Sequence, residues 1–204
     1  METPRLDLGP PELWKKLRGH MWHATSFKSA REIVASAAIR HDMNRDGFKN
    51  GYCRVNGGVS LFDFSDTEER IADQSHNWQS WLGHQRYIRG RAVVWFRINR
   101  EAVRDSVKSV ADTGAAWHAG GHHANKYIPY VEVCHAGSIP LSAIDGSLVI
   151  SSANNALFEW VPPGDAMLAE IVRLETTMPE LPPPGPLELA LEQVTRDLIE
   201  GRKP

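Results

Sequence analysis

An α+β fold is the class that this sequence predicts, on three observations. Strand-like and amphipathic helical runs alternate without the regular succession of βαβ units that a parallel α/β sheet requires. The strand-like runs are dense in β-branched and aromatic residues, RAVVWFRIN over 91–99 foremost. At 204 residues the chain is long enough for one well-filled core and too short for two large domains. The expected organisation is a single domain over 1–177, then a proline-rich linker and a C-terminal helix over 178–204.

PELWKKLRG is the first expected helix, with Pro10 and Pro11 at its start and Gly19 at its end. HMWHAT follows as a strand. Side chains alternate along a strand, so His23 and Thr25 share one face and bring a ring nitrogen and a hydroxyl to one cleft. In SFKSAREIVASAAI, Phe27, Ala30, Val34, Ala37 and Ala38 recur at helical spacing, with Lys28, Arg31 and Glu32 on the opposite face. HDMNRDGFKNG is polar and glycine-rich, an exposed loop. GGVSLFDF alternates as a strand. Val59, Leu61 and Asp63 lie on one face, and Ser60, Phe62 and Phe64 on the other, an aromatic and partly open one.

Ser65 with Glu68, or Asp66 with Glu69, has the spacing of a capping box for a helix running through Trp81. RAVVWFRIN is the clearest strand. Residues 106–126 have no periodicity and carry DTGAAWHAGGHHANK, which reads as a long functional loop. KYIPYVEV is the next strand, with Ile128, Tyr130, Glu132 and Cys134 on one face. A short turn-helix at IPLSAI, strands around SLVIS and ALFEW and a helix over 165–174 complete the domain. MPELPPPGP is a stiff linker. The terminal helix carries an apolar stripe of Leu187, Leu191, Val194 and Leu198, which needs a partner in this domain or another chain.

The formal net charge of -2 gives no whole-molecule reason to favour nucleic acid, although a local basic patch is compatible with it. No apolar run has the length of a membrane span, and the N-terminus lacks a signal-peptide pattern, so a cytoplasmic protein without a membrane partner is expected. Cys53 and Cys134 lack metal-ligand spacing and read as two reduced thiols. There is no Gly-x-Gly-x-x-Gly after a strand, no phosphate-binding loop ending in Gly-Lys-Ser/Thr, and no Gly-x-Ser-x-Gly elbow. His118, His122 and His123 cluster, but Gly120 and Gly121 interrupt a helix there and no carboxylate or cysteine completes a first shell, so no metal is expected.

Glu132 stands out because glutamate is rarely buried without a partner. It is either ion-paired, with Arg54 or Arg97, or functional.

Taken together, these segments resemble the ADP-ribosyltransferase superfamily, most closely its bacterial toxin branch of DarT-like enzymes. The similar features, in order, are the His-x-Thr strand at His23 and Thr25, the helix FKSAREIVASAAI, the glycine-preceded aromatic strand GGVSLFDFS, and the glutamate strand YVEVCHAGSIPLSAI. The resemblance implies split antiparallel sheets around an NAD+ cleft, flanked by helices. It further implies that NAD+ is a substrate held by His23, Thr25, Arg54 and the Ser60, Phe62 and Phe64 strand, with Phe62 or Phe64 stacking on nicotinamide and Arg54 on the pyrophosphate. Glu132 would be catalytic. Trp117, His118, His122, His123 and Tyr130 would meet the acceptor, a nucleic acid or a protein.

Tyr130 stands where arginine-modifying members usually carry Glu or Gln, which argues against arginine as acceptor. Alternatives of the same fold are an NAD+ glycohydrolase and an RNA 2'-phosphotransferase-like enzyme. A non-catalytic domain whose C-terminal helix docks an antitoxin, another partner or a second copy is the alternative from a different class.

Overall fold

The computed structural model describes residues 11–41, 51–65, 92–120, 127–151 and 157–179, together with Pro186. The loop expected over 42–50, the helix expected beyond Ser65, His122 and His123, and the linker and terminal helix lie outside the described residues.

In chain order the elements are α1 (Pro11–Leu17), β1 (Met21–Ser26), α2 (Phe27–Ala35), β2 (Ala38–Ile39), α3 (Tyr52–Val55), β3 (Gly58–Asp63), β4 (Ala92–Ile98), α4 (Arg100–Val103), α5 (Val110–Ala119), β5 (Glu132–Ala136), β6 (Ile139–Pro140), β7 (Ile144–Ser151), β8 (Phe158–Val161) and α6 (Met167–Thr177). The class is α+β. Six strands form an antiparallel sheet in the order β5-β3-β1-β4-β7-β8, and β2 pairs with β6 in a ladder of its own.

The resemblance implies two small sheets, whereas these six strands are joined in one sheet with a seam. Although β1 and β3 have six residues each, they pair only at Met21 with Asp63 and Trp22 with Phe62. Beyond Trp22, β1 stays paired with β4 as far as Ser26, and β3 stays paired with β5 as far as Gly58. Backbone groups along the opened seam need other partners, which side chains can supply.

Pairing register sorts the side chains into two layers. Met21, Leu61, Phe96 and Val133 pack in one core with Ala30 and Ile33 of α2 and Ile171 and Leu174 of α6. Trp22, Phe62, Trp95 and Leu148 pack on the other face with Leu13 and Leu17 of α1. Trp22 Nε1 donates to the Leu17 carbonyl at 2.7 Å, which gives this buried indole its polar partner. Each large apolar side chain so buried contributes about 1.5–3 kcal/mol. A third cluster, of Tyr52, Cys53 and Tyr127 backed by Trp117 and Cys134, packs α3 and α5 against the edge strand β5.

Three expectations about local structure need correction. The helix α2 is capped by Ser26, which accepts from Ser29 N at 3.2 Å, but it stops at Ala35. Ala37 takes a left-handed φ of 55°, and Ala38 and Ile39 leave to pair with Pro140 and Ile139, so the buried stripe uses Ile33 rather than Ala37 and Ala38. A strand partner distant in sequence overrides the helical spacing there.

The stretch expected as a loop over 106–126 contains helix α5. Ser109 caps it, accepting from Asp112 N at 3.0 Å, and Gly120 ends it. Its internal Gly114 faces the Tyr127 hydroxyl, to which an added Cβ would come within 3.3 Å.

The glutamate strand starts at Glu132, well inside the KYIPYVEV segment expected to form it. Pro129 and Tyr130 form a turn closed by Glu132 N donating to the Ile128 carbonyl at 3.0 Å, and Tyr130 adopts φ 70°. Pro129 therefore sits in a turn, which its fixed φ suits, and not in a ladder that its missing N–H would break.

Candidate functional site

The seam between β1 and β3 is where the polar groups gather. His23, just past the last β1–β3 pair, places Nδ1 3.0 Å from the Ser60 carbonyl and so satisfies one of the backbone groups the opening exposes. The Ser60 hydroxyl donates to Glu132 Oε1 at 2.5 Å, and the Ile128 N–H donates to Glu132 Oε2 at 2.7 Å. Both carboxyl oxygens are thus held, one by a neighbouring strand and one by the turn before β5. Phe62 pairs with Glu132 and Ser60 with Cys134, so on a twisted antiparallel ladder Ser60 and Glu132 project to the same side.

Glu132 is only 5% exposed, and no ion pair to it is found among the described residues. Of the two readings, the ion pair with Arg54 or Arg97 is not formed, and two neutral donors hold the carboxyl instead. Burial pushes the Glu132 carboxyl up to about 7, and the bonds from Ser60 and Ile128 oppose that rise. A carboxyl poised near neutrality can hold or release a proton under physiological conditions. Tyr127, 8% exposed, has no hydrogen-bond partner for its hydroxyl among the described residues, and burial followed by the nearby Glu132 charge raises its pKa.

Cys53, in the single turn of α3, and Cys134, two residues beyond Glu132, form a disulfide with Cα atoms 5.1 Å apart. They are not the two reduced thiols that their counts and spacing predict. Cys53 Sγ lies 3.8 Å from Glu132 Oε1, a packing contact rather than a hydrogen bond, because a half-cystine has no proton to donate.

Several expected site residues lie elsewhere. Register places His23 and Thr25 with the Met21 layer and Glu132 with the Trp22 layer, so imidazole and carboxyl do not face each other directly; Ser60 links them through its carbonyl and its hydroxyl. Thr25 is buried.

Phe62 and Phe64 are each 2% exposed and packed against Trp95, so the face expected to be partly open is closed and offers no ring to stack on nicotinamide. Tyr130 is 50% exposed in its turn and does not enter a cleft with Glu132. Arg54 lies within α3, half-buried, one residue beyond Cys53. Trp117 backs the disulfide cluster, tilted on Tyr127 with ring centroids 5.3 Å apart, and His118 meets its edge from the exposed side of α5.

Sequence reasoning missed the disulfide, Tyr127 and the Ile128 N–H. Tyr127 lies within the same KYIPYVEV segment that singled out Glu132, so it was within reach; the pairing of two cysteines 81 residues apart carried no local signal. Among the described residues no helix is long and apolar enough to cross a membrane, and no group of three His, Cys, Asp or Glu residues is placed to hold a metal ion. The chain matches no protein-family model and no curated protein.

Proposed function

We propose that this protein is an NAD+-dependent ADP-ribosyltransferase in which Glu132 is the catalytic group, acting on a nucleic-acid or protein acceptor as a toxin or defence effector. The observation that carries the reading is the buried Glu132 carboxyl, held by Ser60 and Ile128 beside the parted seam that His23 borders. The order His23, Ser60, Glu132 on three adjacent strands follows the order of motifs on which the resemblance rests.

Breaking the bond between nicotinamide and ribose leaves positive charge on the ribose as neutral nicotinamide departs. A fixed carboxylate in a water-poor site favours that charge over the neutral ground state. Ser60 and Ile128 hold the carboxylate in place, so it does not have to reorganise at the moment of bond breaking. The same oxygen atoms then take the proton that the acceptor loses as it bonds to the ribose carbon. Water as acceptor gives NAD+ hydrolysis, the second reading; a single carboxyl that titrates near 7 suits activation of water as well as of a larger nucleophile.

The test is nicotinamide release from NAD+ by the wild type and by Glu132→Gln, each measured with the Cys53–Cys134 bond intact and after its reduction by a thiol. Release should fall by a factor on the order of 10²–10³, the cost of removing one preorganised electrostatic group, while the variant stays folded. Equal release by the two proteins in both states refutes the role given to Glu132.

A further inference from the structure

We propose that the Cys53–Cys134 disulfide is a thiol-reducible latch that closes α3 over the Glu132 carboxyl. The bond joins the one-turn helix α3 to the strand that bears Glu132, and its Cys53 sulfur rests 3.8 Å from Oε1. A helix of four residues cannot persist on its own hydrogen bonds, so α3 keeps its place through the bond and through the packing of Tyr52 and Cys53 against Tyr127. While it stays there, Glu132 is out of reach of a substrate.

The bond itself is within reach. A cavity of about 270 Å3 has both half-cystines in its wall, together with Tyr52, Gly58, Lys108 and His135. The backbone N–H of Lys108 donates to the Cys134 carbonyl at 3.2 Å, which holds the Lys108 main chain alongside the residue that carries the bond. Cys134 is half-buried and Cys53 fully buried, so an incoming sulfur meets Cys134 first. The volume fits a low-molecular-weight thiol, not a protein reductant.

The exchange balances with two such thiols. The first, as thiolate, attacks Sγ of Cys134; a new S–S bond forms there, and the electron pair of the old bond leaves on Sγ of Cys53, which takes up a proton. The second attacks the small molecule's sulfur in that mixed disulfide, departs as the oxidised small disulfide, and leaves Cys134 as a thiol. With the tether gone, α3 opens locally and Glu132 meets solvent. The latch is closed in an oxidising compartment and open in a thiol-rich one. Its bearing on catalysis rests on the role proposed above for Glu132.

Carboxyl labelling separates the two ideas. The folded protein is treated with glutathione, and Glu132 modification by a water-soluble carbodiimide and an amine is followed by mass spectrometry. A transient glutathione adduct on Cys134 is expected, as is labelling of Glu132 at least about tenfold faster after reduction, because a local opening and not global unfolding then governs access. Cys53→Ser/Cys134→Ser should label fast without thiol; if that variant does not fold, the wild-type series decides.

Equal labelling rates, no exchange in the folded state, an adduct on Cys53 alone, or loss of the cooperative melt on reduction each overturn the latch. Fast labelling after reduction with no nicotinamide release in either state upholds the latch and refutes the catalytic reading.

Discussion

Replacing Glu132 by Gln should make the protein more stable at alkaline pH and leave its stability almost unchanged in acid. The unfolded carboxyl titrates near its ordinary 4.5, whereas burial holds the folded one at about 7. A group whose pKa is raised by folding contributes its full stability below the unfolded value and loses it as pH climbs through the folded value. Each pH unit between the two is worth about 1.4 kcal/mol, so ionising Glu132 in the folded wild type costs roughly 3 kcal/mol, and the loss spans the window from 4.5 to about 7.

Gln fits the same polar partners. Its amide oxygen can accept from Ile128 N–H, and its amide nitrogen can donate to Ser60 Oγ, which turns from donor to acceptor. All other titrating groups are common to both proteins, so the difference between the two curves isolates this one. Urea unfolding at about pH 5 and about pH 8 measures it. The variant should gain on the order of 3 kcal/mol over the wild type at the higher pH and far less at the lower. Parallel pH dependence would show that Glu132 ionises freely in the folded state and would refute the account of its burial.

Ser60→Ala removes the 2.5 Å bond to Oε1, one of the two donors that favour the ionised form, so the Glu132 pKa should rise further, as followed by carboxyl-carbon NMR, and nicotinamide release should fall. A methyl at Gly58 would stand 2.6 Å from the His135 carbonyl, so Gly58→Ala should cost about 1–3 kcal/mol by forcing β3 and β5 apart beside the site; an unchanged melting temperature would mean that the ladder is slack. Gly146, at φ 136° with the Trp160 ring where its Cβ would go, at 2.3 Å, should tolerate Ala no better: a loss of roughly 2 kcal/mol or more is expected, with loss of the Trp160 stack on Arg97 seen as a fluorescence change.

Much of the sheet was legible without coordinates because each strand carries its own periodicity. β3 and β4 were recognisable from alternation and β-branched density, and β1 and α1 from the punctuation of Gly19. The singling out of Glu132 also needed no partner, since a carboxylate among Val131, Val133 and Ile128 conflicts with its surroundings wherever the strand goes. Boundaries failed where a distant segment decided them. Ile139 and Pro140 drew Ala38 and Ile39 out of helix α2, and packing beneath Tyr127 let Gly114 stand inside helix α5.

The sequence by itself determined the α+β class and the order of the main strands along the chain, and it singled out His23 and Glu132, around which the candidate site is proposed, because periodicity and polarity are local properties of the chain. Only the tertiary structure decided that Ser60 joins those two, that Phe62 and Phe64 are core, that Tyr130 turns outward and that Cys53 is bonded to Cys134. The reason is physical. A side chain's face follows from its neighbours along the strand, but its hydrogen-bond and disulfide partners come from segments up to 81 residues away, whose register is set by packing of the whole sheet.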